Sequence, residues 1–168
     1  HNLSGAVTVH GAKNSALPIL AATLLADGAS EITNCPALSD VEASAAILRY
    51  LGCRVEQADG CVTVDTAGLC RNDVPDRLMR EMRSSIVFLG AIAARTGEAH
   101  LTFPGGCELG PRPIDLHLAA LRKLGVEIEE ERGRLNCRVK GRLTGTTITL
   151  AFPSVGATEN VLLAAVLA

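Results

Sequence analysis

The feature of this sequence that most restricts its fold is a helix with no polar face, met more than once. SALPILAATLLA, Ser15 to Ala26, is apolar nearly all round, and so is SIVFLGAIAA in the second half of the helical pattern from Asp76 to Arg95. A helix without a polar stripe belongs in the interior of a domain, so other elements must surround it. The surroundings recur too. LLADGASEI around Gly28 returns as AARTGEAHL around Gly97, and LRYLGCRVE around Gly52 returns as LRKLGVEIE around Gly125. VTV at 7–9 is echoed by ITL at 148–150. A spacing of about 70 residues describes a unit that cannot bury its apolar helix alone and stacks on its neighbours.

Taken in order, each unit reads β-α-β-α-β-β. Ala6 to His10 alternates as a short strand. The first apolar helix follows, with Pro18 in its first turn, and ends at Asp27-Gly28 before a strand from Ser30 to Thr33. Ser39 or Asp40 is the expected N-cap of a second helix that runs to Gly52, a natural C′ glycine. Asp59-Gly60 turns a hairpin between Arg54–Gln57 and Cys61–Asp65. Residues 68–75 read as loop, 76–95 as helix in one or two pieces, and Ala99 to Phe103 as strand. A helix from Ile114 to Leu124, a hairpin of Val126–Glu130 with Leu135–Lys140, a strand from Thr146 to Phe152 and a last apolar helix opening at Ser154 complete the chain. The units span about 5–70, 71–142 and an incomplete 143–168, all within a single partial domain.

Sixteen basic against eighteen acidic residues leave a net charge of −2, so no electrostatic footprint for nucleic acid exists. Aromatics are 2% of the chain, which leaves no platform for stacking bases. The six cysteines show no C-x-x-C pair, and Cys53, Cys61, Cys70 and His10 have no ligand spacing, so no metal site is expected. Free thiols in a reducing cytoplasm are the expectation. The first residues carry no basic start or apolar core of a signal peptide, and the closing run VLLAAVLA, eight residues, is too short to span a bilayer. The chain starts at His1 and stops inside a helical pattern without a C-cap, so a piece of a longer polypeptide is expected.

Between the strand Ala99–Phe103 and the helix Ile114–Leu124 lies PGGCELGPRP, Pro104 to Pro113. Its glycines let backbone approach a ligand closely, and its prolines bound the loop. Arg112 stands five residues from Cys107, and a nearby cation lowers a thiol's pKa. Read on its own, the loop is either a reactive-cysteine loop or a glycine-rich turn with an incidental cysteine.

GAKNSALPILAATLLADG, MRSSIVFLGAIAARTGEAHLTFPGGCELGPRPIDLHLAALRKLGVEI and FPSVGATENVLLAA together resemble the UDP-N-acetylglucosamine 1-carboxyvinyltransferase family, over all 168 residues. The resemblance implies an enolpyruvyl-transferase-like α/β prism: repeated β-α-β-α-β-β units with buried helices and outward-facing sheets, the third unit incomplete here. It implies transfer of the enolpyruvyl group of phosphoenolpyruvate to the 3′-hydroxyl of UDP-N-acetylglucosamine, by addition and elimination, for peptidoglycan precursors and without a cofactor. Cys107 then matches the catalytic proton donor and fosfomycin target. Lys13, Asn14 and Arg112 match phosphoenolpyruvate-binding positions. Arg83, Arg112, Pro113, Ile114, Asp115, Leu116, Ser154, Val155 and Gly156 match positions that bind UDP-N-acetylglucosamine. Arg83 has rivals in Arg77, Arg80 and Arg95, and His117 on the same helix is equally read as a packing or capping residue. Phe152 stands where some members carry a lysine, so it offers no charge there.

In that family a second domain closes the site and supplies an aspartate and a further arginine. This chain alone is therefore expected to be inactive and to bind UDP-N-acetylglucosamine weakly, with the second domain as its missing partner. Two other readings are a non-catalytic truncated paralogue that binds a sugar nucleotide or a partner, and a shikimate-pathway enolpyruvyl transferase, which lacks the Gly-Gly-Cys loop.

Overall fold

The computed structural model describes residues 4–104 and 114–168. At its centre lies α4 (Phe88–Thr96), whose residues from Phe88 to Ala93 are all buried. It continues a 3-10 turn, Arg83–Val87, that follows the short α3 (Asp76–Glu81). The helical pattern over 76–95 is thus broken at Met82, whose backbone is extended at φ −138° and ψ 128°. Against α4 pack α1 (Lys13–Ala22), prolonged by a 3-10 turn at Thr23–Leu25, and α6 (Val155–Ala165). Two amphipathic helices cover these, α2 (Ser39–Leu51) on α1 and α5 (Asp115–Lys123) on α6. The α2 pattern shows why: Val41, Ile47, Leu48 and Leu51 are buried while Glu42 and Arg49 pair at 2.7 Å outside.

Two sheets wall the helices. β1 (Ala29–Ile32), β2 (Arg54–Ala58) and β3 (Cys61–Asp65) form one in the order β1-β3-β2, antiparallel throughout. Val62 and Val64 of its central strand point inward and are buried. The other runs β4 (Asp73–Val74), β5 (Glu98–Thr102), β7 (Arg134–Val139), β6 (Val126–Glu131), with β4 parallel to β5 and the rest antiparallel. Its register sets Ala99 opposite Cys137 and Leu101 opposite Leu135, all buried, while Glu98 meets Arg138 on the outer face at 3.0 Å. Helices inside and sheets with one face outward are the α/β arrangement the sequence implied.

Gly52 ends α2 as expected, at φ 105°, and the next amide, Cys53 N–H, donates to the Leu48 carbonyl at 3.0 Å. Other expectations change. Neither Ser39 nor Asp40 caps α2; both lie within the helix, Leu38 holds the cap position with an extended backbone and no side-chain bond, and the Asp40 carboxylate is engaged by Lys13 at 2.8 Å. Pro18 sits inside α1 rather than in its first turn, since the helix begins at Lys13. Among the described residues, 6–10 and 146–152 form no strand: alternation supplies a face, no ladder partner lies beside it there, and Val7 is 90% exposed. β4 lies in the stretch read as loop, two residues being too few to show a period. Of the apolar helices only α4 is covered all round. Ile19 on α1 is 47% exposed and Leu162 on α6 is 62% exposed, so those two present apolar surface on one side.

Candidate active site

The starts of two helical elements meet on one side of this core. Lys13 is the first residue of α1, and Arg83 is the first residue of the 3-10 turn leading into α4. Between them opens a cleft of 510 Å³ lined by Lys13, Asn14, Asp40, Glu81, Arg83 and Ser84. Lys13 Nζ is held by Asp40 Oδ2 at 2.8 Å, both side chains reaching solvent. Among the described residues Arg83 has no ion-pair partner, whereas Arg80 pairs with Asp76 at 2.7 Å and Arg95 pairs with Asp27. Arg83 follows the break at Met82 and lines the cleft, whereas Arg77, Arg80 and Arg95 do not. The two cations are balanced by the carboxylates of Asp40 and Glu81, so what suits the cleft to an anionic ligand is the amide and hydroxyl of Asn14 and Ser84 beside Arg83, together with the unpaired amides and dipole at the start of α1. The Lys13 side chain stays half-exposed while paired with Asp40.

The remaining sequence-marked positions fall elsewhere. Ile114 is buried at the N-cap position of α5, Asp115 begins that helix in solvent, and Leu116 is half-buried. Ser154 caps α6, its Oγ accepting from the Ala157 N–H at 3.3 Å. Val155 is exposed, and Gly156 lies against the His117 ring. Ser154 and Val155 line a second cleft of 380 Å³ with Leu150, Pro153, Thr158 and Glu159. The structure therefore gathers Lys13, Asn14 and Arg83 in one cleft and leaves Ser154 to Gly156 outside it. Cys107, Arg112 and Pro113 lie outside the described residues.

His117 is buried, and burial pushes its imidazole pKa below the ordinary range. Its Nδ1 faces Asn160 Nδ2 at 3.1 Å, so it packs and hydrogen-bonds inside the protein. Asp40, Glu81 and Ser84 escaped sequence reading, since acids and serines at helix ends have no period that tells a cleft from a cap. Asn160 escaped it as well, although a carboxamide in ATENVLLAA is a polar residue in an apolar helix.

A larger cleft of 580 Å³ lies at the other ends of the same helices, past the end of α1 and at the end of α4. Its arginines are already engaged: Arg95 with Asp27, and Arg71 stacked 4.7 Å over the Tyr50 ring and bonded to its hydroxyl at 3.1 Å. Helix C-termini carry negative potential, so for an anion the smaller cleft is the better site.

Comparison with known proteins agrees with this architecture. The enolpyruvyl transferase NikO from Streptomyces tendae superposes with a TM-score of 0.80 over 96% of the chain and 38% of its own, at 26% identity. An EPSP synthase from Acinetobacter baumannii superposes with a TM-score of 0.74 over 98% of the chain and 38% of its own, at 23% identity, a likeness of fold. In sequence the chain is 55% identical, over 167 residues, to UDP-N-acetylglucosamine 1-carboxyvinyltransferase 2 of Caldanaerobacter subterraneus subsp. tengcongensis, covering 99% of this chain and 40% of the relative. It is 46% identical to the UDP-N-acetylglucosamine 1-carboxyvinyltransferase of Shewanella amazonensis, with the same coverage of each. The chain thus spans about 40% of the length of the curated relatives it matches. The family model for EPSP synthase (3-phosphoshikimate 1-carboxyvinyltransferase) matches residues 1–168, and with buried helices inside two outward-facing sheets, this chain belongs to that family of enolpyruvyl transferases.

Proposed function

We propose that the protein containing this chain transfers the enolpyruvyl group of phosphoenolpyruvate to the 3′-hydroxyl of UDP-N-acetylglucosamine, releasing phosphate. The observation that carries the reading is the cleft where Lys13, Asn14 and Arg83 converge, in a chain 55% identical to a relative named for that reaction. Shikimate-type acceptors are the second reading, because the matching family model bears that enzyme's description. The Gly-Gly-Cys loop and the names of the sequence relatives favour the sugar nucleotide.

In this reading a proton adds to C3 of phosphoenolpyruvate while the acceptor oxygen attacks C2, giving a tetrahedral intermediate. Loss of a C3 proton then re-forms the double bond as the C2–O bond to phosphate breaks. Negative charge is concentrated on phosphate and carboxylate throughout, and fixed cations are the groups that stabilise it. Lys13 at the start of α1 serves the phosphoenolpyruvate side together with Asn14 and Arg112, and Arg83 serves the sugar nucleotide. Cys107 supplies the C3 proton, an assignment that rests on the resemblance of its loop to the family's cysteine loop. The Ile114–Leu116 and Ser154–Gly156 segments, at the starts of α5 and α6, would complete the sugar-nucleotide contacts, α6 offering its amides to the diphosphate. The rest of the polypeptide would supply the base for the hydroxyl and the opposite wall of the cleft, so activity is a property of the full-length protein. A cytoplasmic setting suits an enzyme whose proton-donating thiol must stay reduced.

The test is phosphate release from phosphoenolpyruvate by the full-length protein, offered UDP-N-acetylglucosamine or shikimate 3-phosphate. Release with the first and none with the second is expected. Release with shikimate 3-phosphate alone would overturn the assignment.

A further inference from the structure

Asn160 is fully buried in α6, and each polar atom of its carboxamide is used. Its Oδ1 accepts from the Gly90 N–H at 2.7 Å, and its Nδ2 donates to the Ile86 carbonyl at 2.9 Å and to His117 Nδ1 at 3.1 Å. Gly90 N–H and the Ile86 carbonyl are the two groups that an uninterrupted α-helix would bond to each other. Here they flank the junction at which the 3-10 turn Arg83–Val87 gives way to α4. A side chain that bonds both sides of such a rung fixes the local bend of the helix. The approach is close enough to require glycine: a Cβ on Gly90 would lie 2.4 Å from both the backbone oxygen and Oδ1 of Asn160.

The third bond reaches α5. Nδ2 can donate to His117 Nδ1 only if that nitrogen is unprotonated, which assigns the neutral Nε2–H tautomer. His117 stands two residues after Asp115, the first residue of α5, and its ring also lies against Gly156 at the start of α6. One carboxamide on α6 therefore bonds the turn that begins with Arg83 and the first turn of α5, whose His117 ring touches the start of α6 at Gly156. Those are the three elements carrying the positions assigned to the sugar nucleotide. The carboxamide makes none of these bonds to α1, which carries Lys13 and Asn14.

We propose that Asn160 is a positioning residue for the sugar-nucleotide half of the site, setting Arg83 and the α5 and α6 starts relative to one another through its bonds to Ile86, Gly90 and His117. The proposal rests on the function assigned above.

The experiment compares full-length wild type with Asn160→Asp, which keeps the shape but loses both donors, and with Asn160→Ala. Steady-state kinetics give KM for UDP-N-acetylglucosamine and for phosphoenolpyruvate separately, at a temperature where circular dichroism shows each variant folded. The expected result is a rise of at least tenfold in KM for UDP-N-acetylglucosamine, with KM for phosphoenolpyruvate within threefold of wild type. Nitrogen-15 chemical shifts of His117 in wild type should show an unprotonated Nδ1. If Asn160→Ala fails to fold, Asn160→Asp carries the comparison. Equal changes in both KM values, or neither changing, would reduce Asn160 to a packing residue and overturn the proposal, as would a protonated Nδ1. Wild type that does not turn over phosphoenolpyruvate with UDP-N-acetylglucosamine overturns the functional reading, and the proposal with it; that outcome is distinguishable because it shows in wild type.

Discussion

Replacing Gly90 with alanine gives opposite answers from propensity and from packing. In a helix interior, alanine is favoured over glycine by about 1 kcal/mol. The structure sets against this a Cβ 2.4 Å from a backbone oxygen, which cannot swing aside. Restoring an ordinary contact of 3.4 Å means moving α6 off α4 by about 1 Å, and overpacking of this kind costs about 1–3 kcal/mol. The same shift lengthens the 2.7 Å bond from the Gly90 N–H to Asn160, and a buried donor left without its acceptor costs about 1–3 kcal/mol more. The balance is a destabilisation of about 3 kcal/mol. Read by amide hydrogen exchange over residues 86–96 in the full-length protein, this is a loss of protection of about a hundredfold, at 1.4 kcal/mol per tenfold. Protection unchanged or increased in Gly90→Ala would refute the close approach of α4 and α6.

Two further outcomes follow from burial. Burial pushes the Cys137 thiol up to about 12 and the Cys53 thiol up to about 11, so neither offers thiolate near neutrality. Brief alkylation at pH 7.5 should mark exposed Cys70 and spare both, as read by peptide mass spectrometry; labelling of Cys137 at the rate of Cys70 would contradict its inward register. Burial lowers the His117 pKa below its unfolded value, so the unfolded chain binds more protons as pH falls. Stability should therefore decline as pH drops below about 6.5, and His117→Gln should flatten that decline in a series of thermal midpoints. An unchanged slope would mean that the imidazole is not desolvated.

Much of this architecture was legible because burial leaves a period. The all-apolar runs identified α1, α4 and α6, the Asp59-Gly60 pair found its hairpin, and Gly52 marked the end of α2. The misses share one cause: they depend on partners distant in sequence. Residues 6–10 alternate like a strand, yet a strand exists only with a ladder neighbour. Asp40 reads as a cap, but Lys13 engages its carboxylate instead. Arg83 could be chosen from four arginines only once the structure placed it, and not Arg77, Arg80 or Arg95, in the lining of the cleft. Asn160 bonds residues more than forty positions away, and no local pattern encodes that.

The claim on which the account turns is that the cleft between the starts of α1 and the Arg83 turn receives the anionic substrates. A crystal structure of the full-length protein with UDP-N-acetylglucosamine and an unreactive phosphoenolpyruvate analogue tests it most directly. The account predicts anionic oxygens bonded to Lys13 and Arg83, with the Lys13–Asp40 pair lengthened or broken. Ligand held instead in the larger cleft beside Arg71 and Arg95, with Lys13 still on Asp40, would contradict it.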